Sequence, residues 1–315
     1  MKGKILIYIS VVLLMASCVD LTNEDYENEK QDIDNYLKSH SYTDENKIND
    51  GIYIKIFSDP NTDTTTPGVG DFLVTSFNVY DLDNNLISTT DSDLAASIDL
   101  YTEYNMYGPV KYALGDFVYG VAYGFSYASE GDSIEMVLSS ANIGTNYYPW
   151  VVRAKIHEII PVENISYWEN AMVNEYIEGK NYSKYNDDIF YKKNIVTEND
   201  SLINSGTAEL NITARFAEFK GRYSPDSLGR KCYPIADDDT VLDYQIGDGQ
   251  STFPFSLALD LIAENIGIKA GEQIEIVTTS TYAYMQYGIT YSNNYIVFRY
   301  TPMYFLIDVV SVDNE

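Results

Sequence analysis

The chain repeats itself, and this constrains the fold more than any other feature of its 315 residues. Laid against itself at a spacing of roughly 130 to 150 residues, it returns five short matches in preserved order. Asn35-Tyr36-Leu37 recurs as Glu175-Tyr176-Ile177, and Ile52-Tyr53-Ile54-Lys55 as Ile189-Phe190-Tyr191-Lys192. Tyr112-Ala113-Leu114-Gly115-Asp116 recurs as Tyr244-Gln245-Ile246-Gly247-Asp248. Gly131 to Met136 pairs with Gly271 to Ile276, and Tyr148-Pro149-Trp150 with Thr301-Pro302-Met303. A duplicated unit closes its own core, so the sequence is expected to form two domains, 35–162 and 163–315, each of ordinary domain size.

Hydrophobic spacing gives each copy the same sequence of elements. Ile165, Trp168, Met172 and Tyr176 form one apolar stripe at helical spacing, with Gly179 as a stop. Alternating segments follow in the first copy, at Ile52 to Phe57, Asp71 to Tyr80, Ser133 to Leu138 and Trp150 to Ile159. Alternation predicts strands with one buried face. A short helix is expected before the fourth match, clearest at Leu257 to Ile266 with Gly267 behind it. The predicted class is α+β, an antiparallel sheet packed on a short helix, twice in tandem.

The N-terminus sets the compartment. Lys2 and Lys4 precede an apolar run, Ile5 to Ala16, closing on Met15-Ala16-Ser17-Cys18. The run is shorter than the roughly 20 apolar residues a membrane span needs. It resembles a lipoprotein signal peptide over residues 1–17, with Cys18 as the lipidated residue. Residues 18–34 are rich in Asp, Glu and Asn and read as an unstructured tether. An acidic stretch there is similar to the surface-export signals of Bacteroidetes lipoproteins. The resemblance implies a bacterial outer membrane location, held by lipid on Cys18 and facing either the surface or the periplasm.

Charge and cysteine content narrow the partners. A formal net charge of −27 argues against nucleic acid, whose phosphates require clustered Lys and Arg. With Cys18 assigned to lipid, Cys232 has no second cysteine to pair with, so stability is expected from packing alone. Tyrosine is abundant, 30 residues against 12 Phe and 2 Trp, which suits half-buried strands and binding surfaces alike.

Both copies resemble the FKBP-type peptidyl-prolyl isomerase family. In the first, Gly70-Asp71-Phe72-Leu73-Val74 looks like the family's strand entry and Leu114-Gly115 like its pocket-edge turn. Gly120 and Gly124 look like the glycines around its central helix, and Gly131-Asp132 like its Gly-Glu turn. In the second, Ile246-Gly247, Gly271-Glu272 and Tyr282-Ala283-Tyr284 fall where the family has Leu-Gly, Gly-Glu and its Tyr-Ala-Tyr loop. The resemblance implies tandem FKBP-like domains that act on proline-containing polypeptide clients. Rotation about an X-Pro bond requires loss of amide conjugation and no proton transfer, so no cofactor or metal is implied.

By position, the first copy's pocket is Phe77, Ile87, Ser88, Val121, Ile143 and Val152, where the family typically has Tyr, Phe, Asp, Trp, Tyr and Phe. Stripped of aromatics, that pocket points to binding or scaffolding. The second copy has Phe216, Tyr223, Asp226, Tyr284 and Phe305 as catalytic candidates, with Leu261 at the Trp position. The alternative is a non-catalytic surface module that binds protein or glycan.

Other chemistries find less support. His40, assigned to the leading helix, and His157, on a closing strand, have no evident nucleophile beside them in the sequence. Asp237-Asp238-Asp239 lacks the spaced ligands and turn glycine of a calcium loop. Gly247-Asp248-Gly249 lacks the Lys-Ser or Lys-Thr of a phosphate loop.

Overall fold

The computed structural model describes residues 25–58, 65–101, 107–145, 148–199, 206–216, 241–247, 256–283, 289–291, 295–297 and 299–313. The chain forms two compact units, Met1–Asp91 with Leu114–Ile159, and Ser92–Ala113 with Ile160–Glu315.

The first unit corrects the expected tether. Helix α1 covers residues 25–39, so its first ten residues fall in the stretch read as unstructured. Glu29, Ile33, Tyr36 and Leu37 are buried along one face, while the surrounding Asp, Glu and Asn residues point outward. The low apolar content was misleading because the apolar positions sit at helical spacing and the acidic residues cover the solvent face. The strands are β1 (Lys47–Asn49), β2 (Ile52–Phe57), β3 (Phe72–Tyr80) and β4 (Leu86–Thr89). The segment Ser92–Ala113, with α2 (Ser92–Ser97) and β5 (Val110–Ala113), groups with the second unit. The first unit resumes with α3 (Tyr119–Phe125), β6 (Ser133–Leu138), the single turn α4 (Ser140–Ile143) and β7 (Trp150–Ile160).

Its strands lie in the order β1-β2-β6-β7-β3-β4. The pairs β1–β2, β2–β6, β6–β7 and β3–β4 are antiparallel. Both faces of this sheet are covered, where alternation alone predicted one. Ile134, Met136 and Leu138 of β6 join Val121 and Phe125 of α3 in the larger core. Val137, pointing the opposite way, joins Ile33, Tyr36 and Leu37 of α1 with Val151. Full burial of such a side chain contributes roughly 1.5 to 3 kcal/mol, so α1 is an integral layer.

The second unit repeats the plan. Helix α5 (Ile165–Ile177) leads into β8 (Ser183–Lys184), β9 (Ile189–Ile195), β10 (Gly206–Phe216) and β11 (Leu242–Ile246). Helix α6 (Ser256–Asn265), β12 (Gln273–Thr278), the short pair β13 (Ile289–Tyr291) and β14 (Tyr295–Val297), and β15 (Met303–Asp313) complete it. Its main sheet runs β11-β10-β15-β12-β9-β8. Helix α6 packs with Ile274 and Ile276 on one face. Val173 and Tyr176 of α5 pack with Val277 on the other. The registers agree between copies: Ile52 opposes Leu138 as Ile189 opposes Thr278, and Leu138 opposes Trp150 as Thr278 opposes Met303. The predicted class therefore holds, a tandem α+β fold in which each antiparallel sheet carries a short helix.

Lys111 ties the Ser92–Ala113 segment into this unit. Its Nζ donates to the Arg299 carbonyl at 2.7 Å and to that of Tyr300, and lies 5.2 Å from the centre of the Trp168 ring.

Candidate functional site

In the first unit the candidate cleft lies on the α3 side of the sheet. Phe77 from β3, Val121 from α3, Ile143 from α4 and Val152 from β7 share one apolar cluster. Val121, Ile143 and Val152 are buried, and Phe77 is half-buried. Ile87 does not join them. It sits on strand β4, at the end of the sheet order, and is 41% exposed, outside this cluster. Ser88 is likewise exposed.

Phe117 is the residue that sequence reading missed. Its ring lies 6.4 Å from Phe77 in an edge-to-face arrangement and 5.0 Å from Phe125, and it is only half-buried. Val121, assigned to the aromatic helix position, faces the core one turn further on. A half-buried aromatic ring therefore does stand on the α3 side in this copy, supplied just after Leu114-Gly115-Asp116. Proximity to that Leu-Gly pair was the available signal.

Helix α3 is placed by close approach. A Cβ on Gly124 would lie 2.3 Å from Met136 Sδ, and one on Gly120 would lie 3.1 Å from the Asn142 carbonyl oxygen. Glycine at both points lets α3 sit directly on β6 and α4. Gly131, at φ +85°, and Gly271, at φ +81°, make the same turn in the two copies. The amide of each donates to the closing strand, Gly131 to Ile156 at 2.8 Å and Gly271 to Val309 at 2.7 Å. Each is followed by a buried carboxylate, Asp132 or Glu272, which accepts from the backbone three residues earlier.

In the second unit Phe305 lies on β15 and is fully buried among α6 and the sheet. Met303, two residues before it, opposes Phe216 in the β10–β15 register. The side chain of Phe216, together with Tyr223, Asp226 and Tyr284, lies outside the described residues, as do Cys18, Cys232 and the Asp237–Asp239 run. Leu261 is half-buried against the same core, and Tyr282 and Ala283 border it. Asp260 on α6 fixes the Ile246-Gly247 turn by accepting from Tyr244 Oη at 2.8 Å and from the Gly247 amide at 3.0 Å.

In both copies the turn after the central strand is held by a glutamate. Glu29 Oε1 and Oε2 accept from the Ser140 amide and hydroxyl, each at 2.6 Å. Glu169 makes the same two bonds to Ser280, each at 2.9 Å. Burial raises the Glu169 carboxyl above its ordinary range, against the opposing influence of Lys111 and the Ser280 hydrogen bonds.

The histidines differ from expectation. His40 is in the turn just after α1, stacked on Tyr36 at 3.8 Å, and its Nδ1 is 3.0 Å from Ser39 Oγ. His157 Nε2 is 2.9 Å from Ser76 Oγ, a serine brought beside it by sheet pairing that linear sequence does not reveal. Burial, then the charge of Lys155, holds the His157 ring below its usual range. Among the described residues, no group of three or more His, Cys, Asp or Glu side chains is placed to hold a metal.

No protein-family model and no curated protein sequence matches the chain. Solved structures do. The three FKBP domains of wheat FKBP73 align with 85% of this chain and 97% of that one, at 12% identity and a TM-score of 0.31. FkpA from Escherichia coli aligns with 50% of this chain and 72% of its own, at 11% identity and a TM-score of 0.36. A peptidyl-prolyl cis-trans isomerase from Pseudomonas syringae pv. tomato aligns with 49% of this chain and 97% of its own, at 15% identity and a TM-score of 0.36.

Proposed function

We propose that this chain is an FKBP-like prolyl isomerase or folding helper, anchored at the bacterial outer membrane through lipid on Cys18, with any catalysis in the second copy. Its clients are proline-containing polypeptides. The observation that supports the reading is the apolar cluster on the helix side of each sheet: in the first copy the half-buried rings of Phe77 and Phe117 meet edge to face beside Val121, Ile143 and Val152, and the second copy has the equivalent α6-side cluster with Tyr282 and Ala283 at its border. An apolar surface that takes water from around a prolyl imide favours the twisted transition state, in which amide conjugation is lost. Rate enhancement then needs shape and a hydrogen-bond donor, with no general acid or base. The resemblance of both copies to the FKBP pattern supports the same assignment.

One observation favours the alternative, a non-catalytic surface module that binds protein or glycan. Phe305, a candidate of the second copy, has zero exposure and serves the core. A prolyl-isomerisation assay on the chain from Asp20 onward separates the two, using a proline-limited refolding substrate without added cofactor. Acceleration lost in Phe216→Ala or Tyr284→Ala places catalysis in the second copy, and acceleration lost in Phe117→Ala places it in the first. A folded protein with no acceleration leaves the binding module.

A further inference from the structure

The pair Glu29–Ser140 is repeated as Glu169–Ser280, with both partners displaced by 140 residues, and all four residues are buried. Each glutamate comes from a leading helix, α1 or α5, which covers the sheet face opposite the cleft. Each serine opens the turn that follows the central strand, β6 or β12. In the first copy this turn is α4, which ends at Ile143 in the cleft cluster and is further held by Asn142 Nδ2 donating to the Asp50 carbonyl at 2.9 Å. In the second it carries Tyr282 and Ala283, which border the α6-side core. A buried carboxylate is a costly way to hold a turn unless its hydrogen bonds are complete. Both copies nevertheless keep it, although the apolar residues around their clefts have diverged.

We infer that Glu29 and Glu169 are positioning residues, through which the leading helix on one face of each sheet sets the wall of the cleft on the other. The inference rests on the cleft assignment above. It makes each leading helix part of the binding site although it contributes no lining residue. A helix that undocks releases the turn, and the wall moves with it.

The test uses the full-length chain in detergent, with isoleucine methyl NMR and amide exchange of residues 139–144. Glu29→Ala is expected to shift the Ile143 methyl and to speed exchange of the Ser140 amide about tenfold. Glu29→Gln, which still offers an acceptor to the amide, is expected to restore both. Ser140→Ala removes one bond of two and serves if Glu29→Ala does not fold, with a smaller Ile143 shift expected. An unmoved Ile143 methyl in a folded Glu29→Ala or Ser140→Ala protein overturns the inference. Failure of the isomerase reading looks different, because a wild type that does not accelerate a fluorogenic Leu-Pro peptide leaves the Ile143 shift in place.

Discussion

The Tyr42 hydroxyl donates to Glu135 Oε1 at 2.9 Å, and Tyr182, 140 residues on, donates to Glu275. In the first copy the same carboxylate also accepts from Arg153 Nε at 2.8 Å, and the Arg153 guanidinium lies 4.9 Å from the centre of the Tyr80 ring. Burial alone would raise the Glu135 carboxyl, but the bonds from Arg153 and Tyr42 outweigh it and the net direction is down. A carboxyl lowered on folding contributes stability above its unfolded pKa of about 4.3, and this is lost as pH falls through the folded value. Glu135→Gln is expected to cost about 1 kcal/mol at pH 7, because the pair is partly exposed. The difference from wild type should shrink below about pH 4. Urea titrations from pH 7 to pH 3 measure both.

Glu169 has the opposite sign. Its carboxyl is raised on folding, so folding shifts its balance toward the protonated form. Its contribution is complete below the unfolded pKa and is lost as pH rises through the folded value. Relative to Glu169→Gln, wild type should therefore gain stability as pH falls from 7 toward 4. Glu169→Ala is expected to destabilise at every pH by about 1 to 3 kcal/mol, because the buried Ser280 amide loses its acceptor. Parallel denaturation of the three proteins distinguishes charge from hydrogen bonding.

Much of this architecture was legible because the two copies could be read against each other. The match of Ile52-Tyr53-Ile54-Lys55 to Ile189-Phe190-Tyr191-Lys192 marked β2 and β9 as equivalent strands, and the structure gives them equivalent partners, β6 and β12. Strand spans were also close, Ser133 to Leu138 being both expected and observed. What failed was long-range. The first ten residues of α1 were hidden because Ile33, standing alone among acids, looks like part of a disordered composition until its spacing to Tyr36 and Leu37 is counted. Phe117 was missed because it precedes α3 and meets Phe77, 40 residues earlier in the chain, only once the sheet and helix are packed. Ser76 and His157, 81 residues apart, meet only through the sheet.

The anchor yields a direct expectation. If Cys18 carries lipid, cells fed labelled palmitate should label the protein, and Cys18→Ser should abolish the label and shift the protein out of the membrane fraction. Retained membrane association in Cys18→Ser would sink the anchor.

Tyr244 is fully buried, and its hydroxyl and the Gly247 amide converge on the same Asp260 oxygen. Tyr244→Phe preserves the ring and removes one donor from a carboxylate that is itself buried. The expected loss is about 1 to 3 kcal/mol, from an under-satisfied buried group with no cavity formed. Asp260→Asn in the same background tests the attribution: if the cost comes from the charge, it should fall when the charge is removed. An equal cost in both backgrounds would place the effect in ring packing.

Gly124 concerns the cleft directly. Alanine there puts its methyl 2.3 Å from Met136 Sδ, and Met136 is fully buried, so the thioether has nowhere to swing. Overpacking of this kind costs about 1 to 3 kcal/mol. Helix α3 must then lift from β6, and Phe117 with Phe125 shifts against Phe77. Met136→Ala removes the obstructing sulfur, so the double variant Gly124→Ala/Met136→Ala should lose less stability than the sum of the single changes. Thermal unfolding of the four proteins completes the cycle, and additivity would show that Gly124 is not kept small by Met136.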